Sequence, residues 1–154
     1  GLKSADLPFL EAIIDSSGLF PGELLEGMIG DSLVDIESHR IWLTYETDIP
    51  VALAFFAPEP MTDGAWNVYL IAVSADHRGQ GIGQEIMAYI EGFLMERGER
   101  ILIVETSGND AFELTRKFYR NLGYIQEARI REFYQAGEDK VIFWKKIGQA
   151  KTQM

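Results

Sequence analysis

Apolar residues recur along this chain in two rhythms, one suited to helices and one to strands. Leu7, Leu10, Ile13 and Ile14 share a helical face, with Ser4 or Asp6 placed to cap it and Gly18 to end it. Leu2-Lys3 ahead of them can be the tail of a first strand. Phe20-Pro21-Gly22 opens a second short helix with Leu24, Leu25, Met28 and Ile29 on one side, and Pro21 suits its first turn. The loop of residues 16–22 either frames a substrate mouth or serves packing alone. Two strand-like runs follow. Residues 40–47 alternate, with Ile41, Leu43 and Tyr45 on one face, and residues 51–57 are nearly all apolar. Asp48-Ile49-Pro50 reads as the hairpin turn between them, and Asp63-Gly64 as a second turn, so the first half predicts an antiparallel meander.

The middle of the chain changes rhythm twice. Val68-Tyr69-Leu70-Ile71-Ala72-Val73 has the near-continuous apolar character of a strand buried on both faces. After the polar Ser74-Ala75-Asp76-His77 comes Arg78-Gly79-Gln80-Gly81-Ile82-Gly83, and then Ile82, Ile86, Ile90, Phe93 and Leu94 fall at helical spacing. Gly98 stands where a helix C-cap belongs. Residues 101–104 form another apolar run, so strand, helix and strand predict a parallel crossover unit. A polar loop, Thr106-Ser107-Gly108-Asn109-Asp110, precedes a helix with Phe112, Leu114, Phe118, Tyr119 and Leu122; Gly123 caps it and Tyr124 makes the accompanying contact. Residues 128–134 and 141–145 read as closing strands joined by Ala136-Gly137-Glu138-Asp139, and the tail from Gly148 as frayed. With no repeat, low-complexity tract or linker, residues 1–154 are expected to form one mixed α/β domain.

The glycine-rich loop is the chemically informative segment. Bare backbone amides at a helix N-terminus favour an anion, through the helix dipole and the unpaired first-turn N–H groups. A dinucleotide fingerprint would need glycine at position 84, which is Gln84, and a Walker A loop would need a following Lys-Ser or Lys-Thr, which is absent. A plain glycine turn without a ligand is the remaining alternative.

Composition narrows the choice. The 154 residues contain no cysteine, which excludes disulfides, thiolate zinc sites and a cysteine nucleophile, and fits a reducing cytoplasm. No apolar run approaches the ~20 residues of a membrane span, and no signal peptide is visible, so no membrane partner is expected. Gly1 stands where a methionine would begin a chain, which suggests trimming and a little preceding sequence. The net charge of −10 argues against nucleic-acid partners and favours a cationic one, although it also serves solubility.

Two motifs in the expected order make the chain resemble the GNAT superfamily of N-acetyltransferases. Arg78-Gly79-Gln80-Gly81-Ile82-Gly83 is similar to that family's [QR]-x-x-G-x-[GA] loop, and Leu70-Ile71-Ala72-Val73 to its central strand. Asn109 followed by Phe118-Tyr119-Arg120-Asn121-Leu122-Gly123-Tyr124 resembles its second motif. The likeness is strong over residues 51–146 and weak before them. It implies a twisted, mostly antiparallel sheet with helices on both faces and one splayed parallel strand pair. It also implies acetyl-CoA as co-substrate, with no metal. The pyrophosphate would lie on the amides of Arg78, Gly79, Gln80, Gly81, Ile82 and Gly83. The pantetheine arm would bond the backbone of Ile71, Ala72 and Val73, and Asn109 unless that residue is simply a helix cap.

The implied chemistry is transfer of an acetyl group to a primary amine of a small molecule or peptide, by direct attack in a ternary complex. A backbone N–H near Val73 would meet the oxyanion. Tyr119 would donate to the leaving thiolate, unless it is only a core aromatic. A glutamate that some family members carry on the central strand has no counterpart here, where Asn67 and Tyr69 stand. Glu105 is the remaining carboxylate for a base, with a solvated strand end or a water chain as alternatives. Arg116, Lys117 and Arg120 could meet a phosphate or form a solvated helix face, the reading preferred here. His77 should be solvated. Phe20, Tyr45 and Tyr134 could line an acceptor site or fill the core. A CoA-binding sensor without catalysis is the alternative function, and the oligomeric state, a homodimer included, is left open.

Overall fold

The computed structural model describes residues 3–17, 22–26 and 40–148. Leu2, Gly18, Phe20, Pro21, Met28, Ile29 and the tail beyond Gly148 lie outside the described residues, and with them most of the expected second helix. Among the described residues six strands form one sheet: β1 (Ile41–Glu46), β2 (Pro50–Pro58), β3 (Ala65–Val73), β4 (Ile101–Ser107), β5 (Ile125–Gln135) and β6 (Glu138–Lys146). Their order is β1-β2-β3-β4-β6-β5, mostly antiparallel, and β3 and β4 form the one parallel pair, with Ala65 opposite Ile101 and Val68 opposite Val104. Among the described residues three α-helices accompany the sheet: α1 (Leu7–Ser17), α2 (Ile82–Glu96) and α3 (Glu113–Asn121). This is the mixed α/β architecture that the two rhythms predict. Contacts divide the chain into two compact units, Gly1–Ala57 with Tyr69–Ile90, and Pro58–Val68 with Glu91–Met154.

In the first unit, Leu10, Ile13 and Ile14 of α1 belong to one buried cluster with Leu53, Phe55 and Ala57 of β2 and Leu70 and Ala72 of β3. On the other face of β2, Ala52, Ala54 and Phe56 are also fully buried, which explains why that strand shows no alternation in sequence. In β1, Ile41, Leu43 and Tyr45 share a half-buried face, and Trp42 on the other is buried, its ring stacked on Phe55 with centroids 4.5 Å apart. Leu25 is buried, whereas Leu24 is half exposed. Gly22 donates its N–H to Asp15 Oδ1 at 2.6 Å, and a Cβ there would fall 2.3 Å from the Glu11 carbonyl oxygen. Only glycine permits that approach.

In the second unit, Leu102 and Val104 of β4 and Val141 and Phe143 of β6 are buried on the face against which Tyr119 of α3 packs, its ring 5.8 Å from Phe143. Both expected C-caps form as Schellman turns. Gly98, at φ +78°, donates to Met95 while Glu99 donates to Leu94; Gly123, at φ +91°, donates to Arg120 while Tyr124 donates to Tyr119. The Tyr119 and Tyr124 rings supply the cap's hydrophobic contact at 5.9 Å. β4 runs three residues further than its apolar run. Glu105, Thr106 and Ser107, expected at the strand end and in the loop, pair with Ile142, Val141 and Lys140 of β6. A partner ladder two strands away in sequence is what extends them, and no local pattern announces it.

Candidate active site

The first unit presents the glycine turn. β3 ends at Val73, the 3-10 turn Ala75–His77 follows, and Gly79 and Gly81 then take φ of +77° and +80°. A Cβ added at either would meet no protein atom within 4 Å. The glycines therefore answer to backbone conformation and to the open space before the loop, not to a crowded neighbour. Glu85 donates to the Gly81 carbonyl, which makes Gly81 the N-cap of α2. By helix geometry Ile82, Gly83 and Gln84 then carry the unpaired first-turn N–H groups. Arg78 donates through Nη2 to the Ser16 carbonyl at 2.9 Å and through Nε to the Val73 carbonyl at 3.4 Å. Its cation thus pins the loop to the C-terminal end of α1, where the helix dipole favours it. Ile71 and Val73 are half-buried and Ala72 is buried. His77 is half-buried, with Nδ1 buried and unpartnered, rather than solvated. Tyr45 bonds the Glu85 carboxylate, and that bond pushes its phenol above the ordinary value.

The second unit presents a polar face. Asn67, fully buried on β3, donates from Nδ2 to Glu59 Oε1 at 2.7 Å and to Glu105 Oε1 at 3.1 Å. The other oxygen of Glu105 meets Lys140 Nζ at 2.8 Å. Ser107 Oγ donates to Glu138 Oε2 at 2.6 Å. Above them Tyr134 is half exposed, and its phenol is pushed up by burial and then by the charges of Glu105 and Glu138. Glu105 is thus no solvated strand end, since both of its oxygens are engaged. Sequence reasoning missed Glu59, Asn67, Glu138 and Lys140 as a group. The available signal was Glu138 and Lys140 at alternate positions of β6, which puts both on one side of the strand.

Tyr119 lies on the opposite face of β4 and β6 from Glu105. It packs on Phe143, whose strand partner is Val104, whereas Glu105 is met by Lys140; alternation along each strand separates the two. Tyr119 is 2% exposed, and burial raises its phenol well above the ordinary value, so it remains protonated. Asn109 precedes the 3-10 turn Asp110–Phe112 that leads into α3, and its side chain makes no capping bond, which removes the simple-cap alternative. Arg116 corrects the expectation of a solvated basic face. It is buried, and Nη1 donates to the carbonyls of Ser107 and Asn109, both at 2.8 Å, fixing the loop that carries Asn109. Lys117 and Arg120 are exposed. Among the described residues no group of histidine, aspartate and glutamate side chains is arranged to hold a metal, and no helix is long and apolar enough to cross a membrane.

Comparison with known proteins gives this geometry a family. A family model described as an acetyltransferase (GNAT) domain matches residues 37–126. A curated relative, an uncharacterized N-acetyltransferase of Methanocaldococcus jannaschii, is 27% identical over 89 residues, 57% of this chain. The match spans about half of that relative, 56% of its length. The crystal structure of a GNAT-family protein from Desulfovibrio desulfuricans superposes with a TM-score of 0.86 at 27% identity, covering 96% of each chain. That of the ribosomal-protein-S18-alanine N-acetyltransferase from Escherichia coli has a TM-score of 0.79 at 20% identity, covering 99% of this chain and 95% of that one, a likeness of fold alone. The family model spans more than half of the chain and includes both the glycine turn and the motif containing Tyr119, so this protein belongs to the GNAT acetyltransferase family.

Proposed function

We propose that this protein transfers an acetyl group from acetyl-CoA to a primary amine of a small molecule or peptide, by direct attack in a ternary complex. The observation that carries the reading is the turn at Gly79 and Gly81, open on its outer side and leading into the unpaired amides of α2. Its donors suit a diphosphate, and a Cβ at either glycine would stand in the space that a diphosphate needs. The backbone of Ile71, Ala72 and Val73, together with Asn109, is assigned to the pantetheine arm, and the Val73 region to the oxyanion.

The acceptor arrives as an ammonium, which has no lone pair. Glu105 takes its proton, and the freed nitrogen attacks the thioester carbonyl carbon. A C–N bond forms, the C–S bond breaks, and the sulfur leaves as a thiolate that takes up a proton. The products are an amide, a free thiol and one proton passed to solvent. The raised Tyr119 phenol is a poor proton source for a weaker base, so its first contribution is a hydrogen bond to the departing sulfur. The Escherichia coli neighbour's name specifies a ribosomal-protein alanine, which keeps a peptide amino group among the acceptors.

The test combines acetyl-CoA titration with a thiol-release assay over an amine panel. Acetyl-CoA should raise the melting temperature. Tyr119→Phe should keep that affinity while lowering kcat by about a hundredfold. Absence of acetyl-CoA binding would overturn the reading, and binding without consumption of any amine would mark a sensor instead.

A further inference from the structure

Tyr124 carries a hydroxyl that the fold does not use. The residue is 3% exposed, and its phenol oxygen is buried with no hydrogen-bond partner. A buried unpaired hydroxyl costs stability, and phenylalanine would fill the same space without it. The ring itself is firmly held. The Tyr124 N–H donates to the Tyr119 carbonyl at 3.0 Å, and the two rings meet edge to face with centroids 5.9 Å apart. Lys145 Nζ lies 5.2 Å from the centre of the Tyr124 ring, donates to the Leu122 carbonyl at 2.8 Å and pairs with Glu91 of α2. The end of α3, the last turn of β6 residues and α2 thus fix this ring against Tyr119. Burial first, then the nearby Glu91 and Tyr119, push the Tyr124 phenol far above its ordinary value, so it keeps its proton and is available as a donor.

We infer that Tyr124 is a positioning residue for acetyl transfer, its hydroxyl donating to the Tyr119 phenol oxygen while Tyr119 donates to the departing sulfur. The inference rests on the acetyl-transfer reading and deepens it. At rest the Tyr124 hydroxyl bonds nothing, Tyr119 included, so this bond belongs to the reaction. As Tyr119 shares its hydrogen with the sulfur, negative charge gathers on its oxygen. Burial opposes that charge, which is why the Tyr119 phenol is raised. A second donor aimed at the same oxygen works against that effect of burial, and hydrogen bonds in such a chain strengthen one another. A donor left unpaired in the ground state and paired as charge develops stabilises the transition state selectively. No covalent bond is made or broken at Tyr124, and its proton stays on its own oxygen. Glu91 is the other acceptor in this cluster, but its carboxylate is already engaged by Lys145.

Tyr124→Phe separates this role from packing. Its melting temperature should be no lower than that of wild type, because the hydroxyl it removes leaves no partner behind. Acetyl-CoA affinity and KM for the amine should be unchanged, while kcat in the thiol-release assay falls about tenfold. In a Tyr119→Phe background the same substitution should cost nothing further, since the oxygen it serves is gone. An unchanged kcat, a loss confined to KM, or a loss that multiplies the Tyr119→Phe penalty would overturn the inference. So would a melting temperature well below wild type, which marks a packing role. The underlying reading fails differently: wild type would then bind acetyl-CoA without consuming any amine, or not bind it. Full kcat in Tyr124→Phe beside an active wild type removes the inference alone.

Discussion

Gly81 concentrates two demands in one residue. It holds φ +80° and it ends the turn as the N-cap of α2, with open space where a side chain would stand. Gly81→Ala should cost about 1 kcal/mol of stability from the left-handed backbone alone, seen as a small fall in melting temperature. Its effect on acetyl-CoA affinity, measured by calorimetry, should be larger, about tenfold or more, if the added methyl enters the space proposed for the diphosphate. Equal loss in a Gly98→Ala control would reduce the result to backbone strain. Gly81 was legible in sequence because glycine spacing is a local property. Asn67 was not, since its meaning depends on Glu105, 38 positions away, and on Glu59 beyond a turn. Arg116 was misread for the same reason: on a helical wheel it belongs with Lys117 and Arg120, and only the returning loop of Ser107 and Asn109 gives it carbonyls to hold.

At the scale of elements, helices declared themselves better than strands. The 3.6-residue rhythm and capping glycines located α2 and α3 to within a few residues, because caps and helical faces are written within one turn of chain. Strand ends depend on partners. β4 gained Glu105 to Ser107 from β6, and β1 turned Trp42 inward to meet Phe55. The β5–β6 hairpin yields a pH prediction. The Glu132 N–H and the Arg129 guanidinium hold the Asp139 carboxyl below its ordinary value. A folded pKa below the unfolded one means the contribution is complete above the unfolded value and is lost as pH falls through the folded value. Melting temperature followed by circular dichroism should therefore drop more steeply below about pH 4 in wild type than in Asp139→Asn. Parallel curves would show that the carboxyl does not fasten the hairpin.

For the whole chain, the net charge of −10 acts at long range on whatever approaches. Cations are drawn in and anions repelled, and both effects fade as salt shortens the screening length. Raising ionic strength should lower kcat/KM for putrescine severalfold and that for butylamine by about the square root of the same factor, since the monoamine carries half the charge. A flat salt response for putrescine would leave selection to local contacts alone. Charge and composition gave that sign from the sequence, and the motifs gave the family. What they left out was the second unit's polar face, assembled from four separate stretches of chain.

Tyr119 and Glu105 project from opposite sides of the same two strands. Substitutions around one need not disturb the packing around the other. With Tyr119 in the role proposed above, the side facing Glu105 is free to change in sequence while the side that meets the sulfur stays as it is. Paired variants, one from each side, should give kinetic penalties that multiply rather than overlap.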